Sequence, residues 1–486
     1  MVNHEQGTGS WQGSHGANGA NGRHAVVIGG SLAGLLAAHV LAGHADRVTV
    51  VERDRLPDGP KPRAGVPQGR HAHVLLEGGQ LALDSLLPGF MAKLRAAGAP
   101  RVGMPADMVS WSDGTWFRRT APTTHIYTGS RAQIEHLVRE RVLANPVITV
   151  VGPAEAVGLV GDASRVRGVL LRERGGDAGN GGAGREPRTL LADVVVDASG
   201  RGSRAPQWLS AIGAEAPEEE TIDTGLAYAS RIYRNRSANL GTESLAYWVY
   251  PNASQVHGGG VLPLEDGTHL AIFSGLRGCE PPTDEEGFTA FAARFPHPFV
   301  HEWLLEAEPQ TPPFGFRSTA NVRRRYDRPG RRPAGFLATG DALCTFNPVY
   351  GQGMAVAAQC AVALRDTLDD PRRTPTTRRV QQALFAASRQ AWDISAGADR
   401  SMPGAVGSGL ATRAVERPVG WYLKRVQQRY PGDPDVVGPA FRSVLTLSAP
   451  VTTLFAPRVA RAVLFGPVGA TPAGPPMRRD AAGGGV

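Results

Sequence analysis

A strand–turn–helix pattern near the start of the chain constrains the fold more than any other feature. The short apolar run Val26–Ile28 predicts a buried strand, and the spacing from Leu32 to Gly43 predicts a helix directly after it. Gly29 permits the tight turn between them, and Gly34 lets the helix lie close to the strand. The pattern predicts the first strand and helix of a Rossmann-like α/β domain.

A second apolar run, Val48–Val51, predicts a parallel strand that ends at Glu52. The free N–H groups at the N-terminus of the preceding helix suit a pyrophosphate, and the Glu52 carboxylate suits a ribose hydroxyl. Ser31 stands where the G-x-G-x-x-G fingerprint has its middle glycine, which weakens the match. The spacing predicts a bound dinucleotide, and a strand–turn–helix without a ligand is the alternative.

Length and composition narrow the class of protein. A chain of 486 residues can bury a large core and is expected to form more than one lobe. The three cysteines are scattered along the chain, which favours a reducing cytoplasm over a disulfide framework. The sequence contains no run of about 18 apolar residues, so no membrane span is predicted. The net charge is +8, but the arginines are spread along the chain, so we expect attraction for anionic cofactors and no nucleic-acid binding.

Glycine-rich and proline-rich segments mark the expected connections. The glycine-rich run 175–184 follows an alternating strand and precedes another apolar stretch, so it predicts a long hairpin loop and not a second nucleotide loop. Several strand-like runs between residues 215 and 320 predict a sheet in a second lobe, and residues 379–465 are expected to be mainly helical. The basic, apolar segment Val444–Val468 is expected to pack against the first lobe, with contact to a membrane surface or a carrier protein as the alternative.

Two further motifs lie far downstream of the first. The apolar strand Val194–Val196 ends at Asp197, and a second strand closes on Gly340 and Asp341. Glycines and a helix of small residues follow Gly340 and Asp341, so backbone N–H groups there can approach a phosphate or flavin oxygens. An aspartate at a strand end can accept a hydrogen bond from a ribityl hydroxyl. In this order and spacing, the motifs indicate a flavin dinucleotide.

The three motifs together resemble those of the FAD-dependent group A monooxygenases, which have the p-hydroxybenzoate hydroxylase fold. The resemblance spans about residues 24–365 and implies that FAD binds along all three motifs. Two residues separate Asp197 from its glycine, which weakens that part of the match. Arg131 resembles the family arginine that lies over FAD. The FAD-binding residues implied are Gly29, Ser31, Gly34, Glu52, Arg53, Arg131, Asp197, Gly340, Asp341, Pro348, Gly351, Gly353 and Met354.

A narrower resemblance concerns the segments Arg63–His73 and Asn347–Gly351, which are similar to those of the flavin epoxidases of polyether ionophore biosynthesis, the lasalocid and monensin type. It implies an enzyme of antibiotic biosynthesis that epoxidises C=C bonds of a hydrophobic polyene polyketide, free or carrier-bound. O₂ and NAD(P)H would be consumed, with a flavin C4a-hydroperoxide as the oxygen donor and a separate flavin reductase as another source of electrons. No catalytic side chain is predicted, because the cofactor carries the chemistry.

Two histidines in this segment, His71 and His73, invite a metal-site interpretation. No third ligand is evident beside them, so we expect no metal. A role beside the flavin, a role in ordering the loop and a purely structural role remain open.

Three other functions are compatible with such a fold. An aromatic-ring hydroxylase is the main alternative. A flavin-binding partner protein without oxygenase activity is a second. A flavin halogenase is a third, but the Trp-x-Trp-x-Ile-Pro motif of that family does not occur in this sequence.

The motifs and connections together predict five segments. The fold class expected is α/β, with a Rossmann-like FAD-binding domain, an inserted β-sheet substrate domain and a C-terminal helical region. The segments are a disordered leader (1–22), the discontinuous FAD-binding domain (23–100, 130–214 and 320–365), the substrate domain (101–129 and 215–319), the helical region (366–465) and a disordered tail (466–486).

Overall fold

The computed structural model describes residues 22–174, 186–235, 244–328, 330, 332–410 and 417–480. The predicted leader, up to residue 21, and the tip of the predicted hairpin loop, residues 175–185, lie outside this range. The helices are α1 (Leu32–Leu41), α2 (Glu77–Leu86), α3 (Phe90–Ala96), α4 (Arg131–Leu143), α5 (Ala205–Ala211), α6 (Glu285–Phe291), α7 (Phe299–Glu306), α8 (Gly353–Asp369), α9 (Thr377–Asp399), α10 (Arg417–Arg429), α11 (Val437–Leu445) and α12 (Pro457–Phe465).

The strands are short and form several sheets. They are β1 (His24–Ile28), β2 (Arg47–Val51), β3 (Val74–Leu75), β4 (Arg101–Met104), β5 (Met108–Ser112), β6 (Thr115–Trp116), β7 (Thr124–Thr128), β8 (Ile148–Val151), β9 (Ala154–Gly161), β10 (Val166–Glu173), β11 (Arg188–Leu191), β12 (Val194–Asp197), β13 (Glu219–Ile222), β14 (Ala227–Arg234), β15 (Ala246–Val249), β16 (His257–Pro263), β17 (His269–Gly275), β18 (Glu308–Pro309), β19 (Phe314–Phe316), β20 (Asn321–Arg324), β21 (Phe336–Ala338) and β22 (Cys344–Thr345).

The central sheet is parallel and has the order β21-β12-β1-β2-β8. Its strands are continuous apolar runs because both faces of the sheet are covered, with α1 and α8 packed together on one side. Ile28 of β1 pairs with Val51 of β2 on one side and with Asp197 of β12 on the other. The carboxyl ends of β1, β2 and β12 therefore lie at the same edge of the sheet. Ligands of open α/β sheets bind at this kind of edge.

The second lobe is built on an eight-stranded mixed sheet with the order β18-β14-β17-β16-β15-β5-β6, and β19 also pairs with β14. Its outer face is packed under α6 and α7, where Phe273, Phe288 and Trp303 form an aromatic core. The predicted α/β fold class with a second, sheet-based lobe and C-terminal helices is therefore confirmed. The segment 101–129 divides, because β5 and β6 join this sheet while β4 and β7 pair with β3 in a separate one.

The glycine-rich run 175–184 connects two paired strands. β10 pairs antiparallel with β11 on one side and with β9 on the other. The prediction of a hairpin around this run is confirmed, and the following strand β12 belongs to the central sheet. None of the described helices is both long enough and apolar enough to cross a membrane.

The described part of the C-terminal tail, up to residue 480, contacts the body of the protein, whereas the sequence predicts disorder for residues 466–486. The fully buried Arg119 donates through Nε to the carbonyl of Ala106 (2.9 Å) and through Nη1 to the carbonyls of Pro476 (3.0 Å) and Met477 (2.9 Å). Arg118 pairs with Asp480 at 2.8 Å. The described part of the tail is thus held by hydrogen bonds from Arg119 to its backbone carbonyls. The amino-acid composition of the tail does not reveal such bonds.

Replacing Arg119 with methionine should destabilise the protein by about 3 kcal/mol, because buried carbonyls would lose their donor. The neighbouring Arg118→Met, which removes a half-exposed ion pair, should cost at most about 1 kcal/mol. Urea unfolding of both variants measures the difference. Equal effects would contradict the anchoring role of Arg119.

Candidate functional site

A long cavity of about 480 Å³ lies at the carboxyl ends of β1, β2, β12 and β21. Two of the predicted FAD-binding residues, Gly34 and Asp197, do not line it. The others do: Gly29, Ser31, Glu52, Arg53, Arg131, Gly340, Asp341, Pro348, Gly351, Gly353 and Met354. Residues from three distant parts of the sequence therefore share one cavity.

Gly34 acts behind the wall of the cavity. A Cβ on Gly34 would lie 1.8 Å from the carbonyl oxygen of Gly29, so only glycine lets α1 approach the turn this closely. Gly29 itself has a φ of +104°, a left-handed conformation that favours glycine. The two glycines thus bring the N-terminus of α1, beginning after Ser31, to the edge of the cavity.

Asp197 is also placed behind the cavity wall. Its fully buried carboxylate accepts hydrogen bonds from the backbone N–H of Ser199 (3.0 Å) and from the hydroxyls of Ser199 (2.6 Å) and Ser203 (2.5 Å). These bonds shape the turn whose residues Ser199, Gly200 and Arg201 line the cavity. Asp197, the aspartate of the middle motif, therefore positions this turn and does not itself line the cavity.

Glu52 belongs to a buried ionic cluster that we call the Arg63 cluster: Glu52, Arg63 and Glu135. Arg63 Nη1 lies 3.0 Å from Glu52 Oε2, and Arg63 Nε donates to Glu135 Oε1 at 2.8 Å. Glu52 also accepts from the N–H of Gly30 at 2.7 Å. The side chains of the cluster are 5–7% exposed, so the charges compensate one another away from water.

The neighbouring charges determine the direction in which the pKa values of Arg63 and Glu135 shift. Burial acts to lower the pKa of Arg63, but the carboxylates of Glu135 and Glu52 outweigh it and hold this pKa above the ordinary value. Burial acts to raise the pKa of Glu135, but Arg131 and Arg63 outweigh it and lower this pKa. Arg63 and Glu135 are therefore held in their charged forms.

Arg131 begins α4 and faces the turn of the first motif. Its Nη2 donates to the hydroxyl of Ser31 (2.9 Å), and that hydroxyl donates to Glu135 Oε2 (2.8 Å). Ser31, where the fingerprint has glycine, is thus tied to the Arg63 cluster. Sequence reasoning did not assign Arg63 or Glu135 to the site, although Arg63 lies in the quoted 63–73 segment and Glu135 lies one helical turn after Arg131.

Asp341 follows β21, which two strands of the central sheet separate from β2 and Glu52. Burial raises the pKa of its carboxyl above the ordinary value, against the opposing effects of Arg201, Arg131 and Arg324. Arg201 also lines the cavity and donates to the carbonyl of Ala320 at 2.8 Å. Glu52 and Asp341 thus present two separate carboxyl groups to the cavity, each with arginines nearby.

A buried polar network holds the loop that carries Pro348 and Gly351. Asp399, at the end of α9, accepts hydrogen bonds from Asn347 Nδ2 (2.9 Å), Asn321 Nδ2 (2.7 Å) and the Tyr350 hydroxyl (2.6 Å). Burial raises the pKa of Asp399. Sequence reasoning missed Asp399, because nothing local to α9 shows that it reaches a loop about fifty residues earlier.

His71 is buried next to the cavity, where it packs against Tyr228, and the half-buried His73 lines the cavity; both are hydrogen-bonded. His71 Nδ1 lies 2.9 Å from the Ser230 hydroxyl, and His73 Nδ1 donates to the carbonyl of His71 at 3.0 Å. Burial, with the nearby Arg70, lowers the pKa of His71 to about 4; burial, with Arg131, lowers the pKa of His73 to about 3. Among the described residues, no group of three or more His, Cys, Asp or Glu could hold a metal ion.

These two histidines predict loss of stability in mild acid. Their folded pKa values lie below the ordinary 6.5, so the stability they contribute is present above about pH 6.5 and is lost as the pH falls toward 4. Each should contribute a slope of up to about 1.4 kcal/mol per pH unit. His73→Asn should flatten the fall in melting temperature between pH 7.5 and 5, and a fall equal to that of the wild type would contradict this prediction.

Comparison with known proteins identifies the family to which this chain belongs. The family described as "FAD binding domain" matches residues 23–373, most of the chain, and this protein belongs to that family. "Protein Rv3254" of Mycobacterium tuberculosis is 36% identical over 351 residues, which cover 71% of this chain and 73% of that protein. "6-methylpretetramide 4-monooxygenase" of Streptomyces rimosus is 27% identical over 386 residues, covering 76% and 81%.

Solved structures share the fold. A probable FAD-dependent monooxygenase from Pseudomonas aeruginosa has a TM-score of 0.57 at 18% identity, over 78% of this chain and 95% of that one. The flavin-dependent brominase Bmp2 has a TM-score of 0.60 at 15% identity, over 87% and 93%. At such identities the likeness concerns the fold alone. The predicted group A flavin monooxygenase fold is confirmed, and the narrower likeness to polyether epoxidases stays a prediction.

Proposed function

We propose that this protein holds FAD along the cavity and uses it to epoxidise C=C bonds of a hydrophobic, polyketide-like substrate. O₂ and NAD(P)H, or a separate flavin reductase, would be consumed, and the substrate would be free or carrier-bound. The observation that carries the proposal is the convergence of eleven predicted FAD-binding residues on one cavity. Membership of the FAD-binding family supports it.

The residues present fit a flavin dinucleotide. Glu52 would accept from a ribose hydroxyl at one end, because Oε1 receives only the N–H of Asp54 among the protein bonds described. The N-terminus of α1 would face the pyrophosphate, and Asp341 would bond the ribityl chain. Gly353 begins α8 with open space where a Cβ would stand, so backbone there can approach the ring. FAD would supply the redox chemistry and the activation of O₂.

Aromatic side chains line the cavity, and two histidines lie in it or next to it. Tyr228 and Phe316 stack there with ring centroids 5.2 Å apart, and both line the cavity. Burial raises the pKa of Tyr228 and lowers the pKa values of His71 and His73, so these side chains are uncharged at neutral pH. Such groups exclude water and position an apolar chain but deprotonate a phenol poorly. An alkene needs no base, which supports epoxidation.

Aromatic-ring hydroxylation is a second candidate. The Streptomyces rimosus relative is named as a monooxygenase of 6-methylpretetramide and is 27% identical over 386 residues. A hydroxylase would use the same cavity and cofactor, with hydrogen bonds from Tyr228 orienting the ring. The two candidates therefore differ only in the acceptor of the oxygen atom.

The deciding experiment supplies the FAD-loaded protein with NADPH or NADH, ¹⁸O₂ and either a trisubstituted-alkene polyketide or a polycyclic phenol. Epoxide that carries one ¹⁸O atom supports the proposal, and labelled phenol product alone selects the hydroxylase. A flavin reductase is added in a parallel arm. If FAD binds but neither substrate is oxygenated in any arm, both candidates fail and a non-oxygenase flavin-binding partner is selected.

The cofactor assignment has its own test. Asp341→Ala should weaken FAD binding by about 10- to 100-fold, because the hydrogen bond proposed between the ribityl chain and this half-buried carboxyl group is lost. The exposed Asp366→Ala on α8 should leave the FAD dissociation constant unchanged. Fluorescence titration measures both, and full affinity in Asp341→Ala would refute the assignment.

A further inference from the structure

Exposed apolar side chains are concentrated in the C-terminal helices. Of the twelve large hydrophobic residues with exposed side chains among those described, seven lie between residues 419 and 468. We define the C-terminal apolar patch by six of them, namely Val419, Trp421, Phe455, Leu464, Phe465 and Val468. The FAD cavity uses none of these residues, so the patch calls for a separate role.

Contacts between α10 and α12 bring these side chains together. Arg425 stacks over Trp421 (5.2 Å to the ring centroid) and donates to the carbonyl of Leu464 at 3.1 Å. Tyr422 stacks on Phe455 with centroids 4.9 Å apart. Arg425 therefore joins the exposed Trp421 ring to the end of α12, and the exposed Phe455 ring packs on the buried Tyr422 of the same helix α10.

The charge in the segments that carry the patch is mainly positive. Residues 417–429 and 451–468 contain no Asp or Glu, whereas Lys424, Arg458 and Arg461 are exposed. Glu416, which precedes α10, lies outside the described residues, and the next acidic residues, Asp433 and Asp435, lie in the loop before α11, where Asp433 accepts from the backbone N–H groups of Val436 and Val437. A basic rim around aromatic and aliphatic side chains complements an anionic lipid surface.

We propose that the C-terminal apolar patch docks this protein on the surface of an anionic phospholipid bilayer. Phe465, Val468 and Trp421 are 82%, 61% and 56% exposed. Side chains that project this far suit insertion among headgroups and acyl chains, whereas a groove for a partner helix would hold them in a recess. α10 and α12 have 13 and 9 residues, so they would lie in the interface without crossing it.

The test is co-sedimentation of the full chain with vesicles. We expect binding to vesicles of equal parts phosphatidylcholine and phosphatidylglycerol, little binding to phosphatidylcholine alone, and weakening as NaCl is raised. Trp421→Ser with Phe465→Ser should reduce the partition coefficient more than about tenfold. Lys424→Gln or Arg461→Gln should each reduce it about fivefold.

The matched control is Leu191→Ser with Leu305→Ser, two residues as exposed as those of the patch but distant from it in sequence, and its binding should equal that of the wild type. Melting temperature and FAD content show whether each variant is folded. Equal binding to both kinds of vesicle, or none, overturns the proposal. Binding to an acidic acyl carrier protein, or self-association, without any vesicle binding also overturns it.

Discussion

Replacing Gly34 with alanine should cost this protein at least about 3 kcal/mol of stability and most of its affinity for FAD. The new Cβ would lie 1.8 Å from the carbonyl oxygen of Gly29, and both partners are backbone or fixed to it. The helix α1 would have to move away from β1, because neither group can rotate aside. The helix N-terminus proposed to face the pyrophosphate would move with it.

Gly353→Ala is the matched control for this prediction. A Cβ at Gly353 meets nothing within 4 Å, and the residue lines the cavity at the start of α8. The apoprotein should therefore keep its stability, whereas FAD binding should weaken about tenfold because the methyl group stands where the cofactor is proposed to lie. Differential scanning calorimetry of apoprotein and FAD titration separate the effects. Unchanged stability in Gly34→Ala would contradict the strand–helix contact.

Replacing Arg63 with methionine should destabilise the fold by about 3–5 kcal/mol at neutral pH. The substitution leaves Glu52 and Glu135 buried with their main counter-charge removed. Exposed Arg53→Met, in the same loop and donating only to the carbonyl of Gly65 among the bonds described, should cost at most about 1 kcal/mol. Chemical unfolding of both variants at pH 7.5 measures the difference.

The pH dependence of Arg63→Met provides a sharper readout. Without the guanidinium of Arg63, burial should raise the folded pKa of the Glu135 carboxyl above its unfolded value. Stability from such groups is present at low pH and is lost as the pH rises through the folded pKa. The deficit of the variant should therefore be smaller at pH 5 than at pH 7.5. A deficit that is independent of pH would show that lost packing, and not buried charge, is the cause.

The local elements were predictable because each has a local cause. β1, the turn at Gly29, α1 and β2 follow from apolar runs and glycines that neighbouring residues decide. The hairpin around residues 175–184 followed from alternation on both sides of a glycine run. The roles of Asp197 and of the tail were not predictable: Asp197 lies at the expected strand end but turns toward Ser199 and Ser203, and the tail is held by Arg119, more than 350 residues away.

By itself, the sequence determined the class of this protein: the parallel sheet, the order of three flavin motifs and the second, sheet-based lobe. Apolar periodicity and glycine placement act over a few residues, so they can be read without a structure. Only the tertiary structure decided that Arg63 and Glu135 surround Glu52, that Asp399 holds the Pro348 loop, and that the exposed side chains of α10 and α12 form one patch. These contacts join distant segments, and their energies arise from burial and charge pairing that exist only after the chain has packed.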